Sequence, residues 1–185
     1  HFTMDDNLSL DEEIKARYRS MYIGVFFKRY ILGLWAAAEG IIYDMFDEEK
    51  HVRNIKDFFR LLIDGNRYVS CDYGTQNATV FLLWNKGRDG KWYCTKEYYY
   101  SGRDKGKQKT DSEYADDLIE WLDGTKIRAM IVDPSAASFI AELRKRGIKV
   151  LKANNDVLDG IRLVGMLLNL EMLVFSSTCT ETIKE

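Results

Sequence analysis

Two aspartates, Asp72 and Asp133, stand at the ends of two apolar runs, and together they have the chemistry of a hard-cation site. Arg67-Tyr68-Val69-Ser70-Cys71-Asp72-Tyr73-Gly74-Thr75 reads as a strand that ends in a carboxylate and turns on a glycine. Met130-Ile131-Val132-Asp133-Pro134-Ser135 repeats the plan: an apolar strand, an aspartate, then a helix-start signal at Pro134, the only proline. Taken singly, Asp72 suits a turn and Asp133 suits a helix cap. At matching places on two core strands they suit Mg2+ or Mn2+, which take oxygen ligands. Two carboxylates brought within a few ångströms of each other repel unless a cation lies between them. A pair of such ions about 4 Å apart can activate water and stabilise the leaving oxygen of a phosphodiester.

Whether the two aspartates meet depends on the elements that carry them. The apolar pattern predicts strands over 67–73, 78–85 and 92–100, the last two joined by a glycine-bearing hairpin turn over 86–91. Ser101 to Thr110 is polar and basic, and no regular structure is expected there. Thr110 and Glu113 form a capping-box signature for a helix over 112–123, with Tyr114, Leu118, Ile119 and Leu122 on one face and Gly124 as its stop. A strand over 127–133 follows, then a helix from Pro134 to Arg146 closed by Gly147. A strand over 148–152, a helix over 156–169, a strand over 172–175 and the start of a helix from Thr178 complete the pattern. The order β-β-β-α-β-α-β-α-β-α implies an α/β fold, a mixed sheet of three antiparallel strands and then alternating helices and strands, flanked by helices. In that order the strand after the first helix pairs in parallel beside the first strand. Asp72 and Asp133 then lie side by side.

Residues 1–50 have a different character and read as an arm or linker leading into a main domain over 51–185. A helix is expected from about Ser9 to Tyr22, with Ser9 as cap and Glu12 three residues on. Residues 24–35 carry many large apolar groups that need a covering surface, and 41–46 read as a short extended segment. With 185 residues, 46% of them apolar, the chain has the size and core of one domain with an appendage. Its net charge of −2 excludes a bulk basic field, so any nucleic-acid contact must come from a local patch. Cys71, Cys94 and Cys179 are too widely spaced for a zinc pattern or a disulfide framework, and read as buried free thiols in a reducing compartment. No stretch approaches the roughly 18 apolar residues of a membrane span, and no signal-peptide pattern opens the chain. His1 and His51 fall outside the main fold and receive no catalytic role.

The residues around both aspartates resemble a known family. Asp72-Tyr73-Gly74-Thr75 and Met130-Ile131-Val132-Asp133-Pro134-Ser135 look like the nuclease domain of the large terminase subunit of tailed bacteriophages. Phe27-Lys28-Arg29-Tyr30-Ile31-Leu32-Gly33-Leu34-Trp35, continued by Ala38-Glu39-Gly40-Ile41-Ile42-Tyr43, resembles the segment that joins the terminase ATPase to its nuclease. Asn154-Asn155-Asp156-Val157-Leu158-Asp159-Gly160-Ile161 is similar to the stretch before the family's third helix. The resemblance covers nearly the whole chain.

It implies a ribonuclease-H-like fold and a metal-dependent endonuclease that cuts concatemeric viral double-stranded DNA by two-metal-ion hydrolysis. Asp72 and Asp133 become the first two ligands of Mg2+ or Mn2+. The family's third acidic ligand lies in a helix near the end of its domain and is expected beyond Glu185. Glu181 and Glu185 read as a solvated helix start, Asp156 and Asp159 as cap and surface, and Asp116, Asp117 and Glu120 as a wet helix face. The portal protein, the small terminase subunit and the ATPase domain are the implied partners, in the host cytoplasm and away from membranes. Residues 1–50 become the arm from that ATPase domain. No glycine-rich Lys-Ser/Thr phosphate loop occurs, so ATP hydrolysis is not expected of this chain. Another ribonuclease-H-like enzyme, a junction resolvase or transposase core, and a non-catalytic portal-docking module are the alternatives.

Seven basic residues are candidates for phosphate contact: Lys86, Arg88 and Lys91 on the hairpin, and Arg103, Lys105, Lys107 and Lys109 in the loop that follows the third strand. Either group also suits a solvated loop. The aromatic run Trp92, Tyr93, Tyr98, Tyr99 and Tyr100 reads as sheet packing before base stacking.

Overall fold

The computed structural model describes residues 7, 9–21, 31–32, 42–74 and 77–184. Its elements run in the order α1 (Glu12–Met21), α2 (Glu48–His51), β1 (Val52–Arg53), α3 (Ile55–Phe58), a 3-10 turn (Phe59–Leu61), β2 (Leu62–Asp72), β3 (Thr79–Gly87) and β4 (Trp92–Tyr100). Then come α4 (Gly102–Lys105), α5 (Asp111–Leu122), β5 (Ala129–Val132), α6 (Ala137–Lys145), β6 (Val150–Lys152), α7 (Val157–Asn169), β7 (Leu173–Ser176) and α8 (Thr180–Lys184). Two compact units divide them: residues 1–51 with 156–172, and residues 52–155 with 173–185.

The first unit holds α1, α2 and α7. Asp11, not Ser9, caps α1, its carboxylate accepting from the Ile14 N–H at 2.8 Å, while Ser9 bonds to the Asn7 side chain. Asp156 caps α7 by accepting from the Asp159 N–H at 3.0 Å, the role its position suggested. His51 is buried, with Nε2 donating to the Leu168 carbonyl at 2.8 Å. Residues 42–46 form a turn closed from Phe46 N to the Tyr43 carbonyl at 3.0 Å, not the expected extended segment. Most of 24–35 lies outside the described residues.

The second unit is a mixed seven-stranded sheet among the described residues, in the order β1-β7-β4-β3-β2-β5-β6. β2, β3 and β4 form an antiparallel meander, and β5 and β6 add in parallel beside β2. β7 adds in parallel on the other side, against β4, and pairs with β1. The apolar pattern carries no sign of β1, α2 or α3, which are too short to show a period. β2 also starts five residues before the expected strand. Gly65, at φ +72°, allows the irregularity that interrupts its pairing with β3 between Leu62 and Arg67.

α5 and α6 cover one face of this sheet. Val69, Phe81, Leu83, Met130 and Val132 from the strands meet Tyr114, Leu118, Phe139, Ile140 and Leu143 from the helices in one core. The capping box at Thr110 and Glu113 forms as expected, and α5 ends with Asp123 and Gly124 both left-handed. Pro134 does not open α6. The helix begins at Ala137, because residues 133–136 close a separate turn with Ala136 N on the Asp133 carbonyl at 3.1 Å. Nor is 101–110 wholly irregular: Ser101 caps the single turn of α4, and Gly106 ends it at φ +63°. The aromatic run packs as expected, Tyr98 on Phe81 at 4.7 Å and Tyr93 on Phe58 at 4.6 Å. Cys71, Cys94 and Cys179 are free thiols; the last two are buried with their sulfurs 3.7 Å apart, and Cys71 is half-buried. No helix among the described residues is long and apolar enough to cross a membrane.

Candidate metal centre

Asp72 ends β2, and Asp133 is the first residue after β5. The two strands are parallel neighbours in the register Tyr68–Ala129, Val69–Met130, Ser70–Ile131, Cys71–Val132. One further step brings Asp72 opposite Asp133, about 5 Å apart at the backbone by ordinary strand spacing. Val132 is buried among α5 and α6, and Cys71 packs against the same core. Side-chain alternation therefore turns the next residue of each strand to the opposite face. Asp72 is exposed and Asp133 half-exposed.

The two carboxylates are held differently. Asp133 Oδ1 accepts from the Ser135 N–H at 2.6 Å, and Oδ2 accepts from Asn155 Nδ2 at 2.8 Å. The Ser135 hydroxyl and N–H, with Asn155, hold its carboxyl below the usual aspartate range. Asp72 carries no side-chain hydrogen bond or ion pair among the described residues, so it is free to follow a bound ion.

Next to Asp72, Tyr73 turns back into the core. Its ring stacks on buried Phe139 at 4.6 Å, and its hydroxyl donates to Asp111 at the start of α5. Those contacts anchor the chain directly after the carboxylate. Glycine is required at position 74, because a Cβ there would lie 2.5 Å from the carbonyl oxygens of Asn77 and Ala78.

Among the described residues the candidate ligands are these two carboxylates. No group of three His, Cys, Asp or Glu side chains among the described residues gathers to hold a metal. That donor set fits Mg2+ or Mn2+, which bind through one or two carboxylates with water and phosphate filling the remaining positions. It does not fit a structural zinc site, which needs four protein ligands. Asp117 is not the wet residue expected, since it accepts from the Tyr98 hydroxyl and pairs with Lys109.

Strand register separates the basic candidates. Val80 lies opposite Asp72, and Lys86 is six residues further along β3, about 20 Å away at strand rise. Lys86, Arg88 and Lys91 thus sit at the far end of the sheet, with Lys86 4.8 Å above the Trp92 ring. The antiparallel order alone carried this information. β4 instead ends at Tyr100, which pairs with Thr79 beside Val80, so the 101–110 loop leaves the sheet at the carboxylate end. Gln108 Nε2 reaches the Gly74 carbonyl at 3.4 Å. Lys107 pairs with Glu113 at 3.0 Å, and Lys109 pairs with Asp117 and lies 4.4 Å above the Tyr100 ring. Arg103 and Lys105 are exposed and make no ion pair among the described residues.

Known proteins share this arrangement of strands. The large terminase of the thermophilic bacteriophage D6E, solved in complex with ADP, is 55% identical over 100% of this chain, with a TM-score of 0.81. The resemblance is to phage large terminases. The chain spans 45% of the D6E protein's length. The large terminase subunit of Escherichia phage T5 is 24% identical over 99% of this chain and 42% of its own. Two separate terminase nuclease domains share the fold. That of P22 has a TM-score of 0.60 at 15% identity, covering 79% of this chain and 77% of its own. The nuclease of the thermophilic phage G20c, solved with bound zinc, has a TM-score of 0.53 at 14% identity, covering 78% and 85%. The mixed sheet flanked by helices is thus the ribonuclease-H-like fold of terminase nuclease domains. No family model matches the sequence.

Proposed function

We propose that this chain carries the nuclease of a phage DNA-packaging terminase and cuts concatemeric double-stranded DNA by metal-dependent phosphodiester hydrolysis. The observation that carries the reading is the Cys71–Val132 register, which delivers Asp72 and Asp133 to one end and one face of the sheet. Residues 51–185 are the nuclease portion, and residues 1–50 the arm from an ATPase portion. The D6E terminase was solved with ADP, and the G20c nuclease with zinc; both are consistent with a nucleotide-driven enzyme whose cutting site takes a divalent metal.

Asp133 presents a fixed, ionised carboxylate, and Asp72 moves to complete the ligand pair. Mg2+ or Mn2+, when bound, supplies the positive charge that favours an attacking water and the departing 3′ oxygen. Arg103 and Lys105 bind phosphates of the same duplex from the loop at that end of the sheet, and Lys107 and Lys109 brace the loop through Glu113 and Asp117. The portal protein, the small subunit and the ATPase portion are the partners of this reading, in the cytoplasm of the infected host.

Nicking of supercoiled plasmid in the presence of Mn2+ tests it. The expected result is cutting that EDTA abolishes and that Asp72→Asn or Asp133→Asn lowers by about 100-fold or more. Cutting that survives EDTA, or either substitution, overturns the assignment.

A further inference from the structure

We propose that Asn155 is a positioning residue for the metal ligand Asp133, an inference that rests on the metal reading above. Its amide donates to Asp133 Oδ2 at 2.8 Å, across 22 residues of sequence. The Ser135 N–H fixes the other oxygen at 2.6 Å. Two donors on two different oxygens define both torsions of a short side chain. The Ser135 hydroxyl is a third donor to this carboxylate, so one of its four acceptor sites is left for a cation.

The backbone brings Asn155 to this place. β6 pairs with β5 up to Lys152 opposite Val132, and the Ala153 N–H continues the ladder onto the Val132 carbonyl at 2.9 Å. The chain thus runs alongside β5 to its last residue, and two residues further on it sets an amide against Asp133. The residue type matters as much as the place. A lysine here would cancel the charge that a divalent ion needs, and an apolar residue would leave Oδ2 free to rotate. A neutral donor orients the carboxylate and leaves its charge intact. Asp72, with no such donor among the described residues, is the adaptable half of the pair. Partners of this kind that orient a ligand typically change metal affinity by about 10–100-fold when removed. At an exposed position the low end of that range is expected.

The test is a Mn2+ titration of the 185-residue chain, with free Mn2+ read by electron paramagnetic resonance. It compares wild type, Asn155→Ala, Asn155→Leu and Asp133→Asn, each also melted without metal. Asn155→Leu keeps the volume of the side chain and removes its N–H. The expected result is a Kd raised about tenfold in both Asn155 variants with an unchanged metal-free Tm, and binding abolished in Asp133→Asn. Wild-type affinity in both Asn155 variants, with binding abolished in Asp133→Asn, overturns the role of Asn155 and leaves the metal site standing. Weakened binding that tracks a lower metal-free Tm reduces Asn155 to a structural residue and also overturns the proposal. Binding unchanged in Asp133→Asn, or absent in wild type, overturns both.

Discussion

Asp72 and Asp133 stand one residue beyond the Cys71–Val132 pair on neighbouring parallel strands, so both carboxylates leave the sheet at one end and on one face. Without a cation that placement costs the fold like-charge repulsion; with one it becomes a ligand pair. Asp72→Asn should therefore leave the metal-free Tm at or above the wild-type value. Mn2+ should raise the Tm of the wild type and not that of the variant, because only a state that binds the ion is stabilised by it. Melting with and without Mn2+ checks this, and an equal Mn2+ shift in the variant would count against the pair.

The two basic groups lie at opposite ends of β3 and β4, so they should behave differently toward DNA. Arg103→Glu with Lys105→Glu should weaken duplex binding and lower the salt slope by about 1 for each phosphate no longer bound. Lys86→Glu, Arg88→Glu and Lys91→Glu should leave plasmid nicking unchanged. Binding isotherms at several salt concentrations decide the first part and nicking assays the second. Loss of cutting in the hairpin variants would show that DNA runs the length of the sheet.

The capping box of α5 should have a pH signature. The Thr110 N–H, then Lys107 and the Thr110 hydroxyl, hold the Glu113 carboxyl down at about 2. Because the folded value is depressed, the stability this group contributes is fully present above its unfolded value of about 4.3. It is lost as pH falls from there through about 2. Thr110→Ala removes only the hydroxyl and keeps the N–H and Lys107, so it should raise the Glu113 titration slightly and leave it well below about 4.3, and should cost about 1 kcal/mol through loss of the Thr110 side-chain cap. Carboxyl carbon shifts followed by nuclear magnetic resonance give the first value and urea unfolding the second. A Glu113 that titrates normally in the wild type would contradict the box.

Much of the fold is legible from local pattern. The meander, the α5 capping box and the parallel placement of β5 beside β2 follow from alternation, cap chemistry and connection rules. Asp72 and Asp133 are visible because each ends an apolar run, a signal that survives in one dimension. The Asn155 amide on Asp133 is not, because no spacing rule links residues 22 apart that meet only through strand pairing. Pro134 misleads in another way. It permits a first helical turn, but the Asp133 side chain takes the Ser135 N–H and closes its own turn before the helix can start. The place of the hairpin residues Lys86, Arg88 and Lys91 is not legible in composition, which reports charge, while only the antiparallel order reports which end of the sheet carries it.

The most direct measurement is the anomalous diffraction of crystals soaked in Mn2+. A Mn2+ peak between the carboxylates of Asp72 and Asp133, with Asn155 still on Oδ2 of Asp133, is the predicted result. A peak elsewhere, or none between those two side chains at Mn2+ concentrations that support cutting, would contradict it.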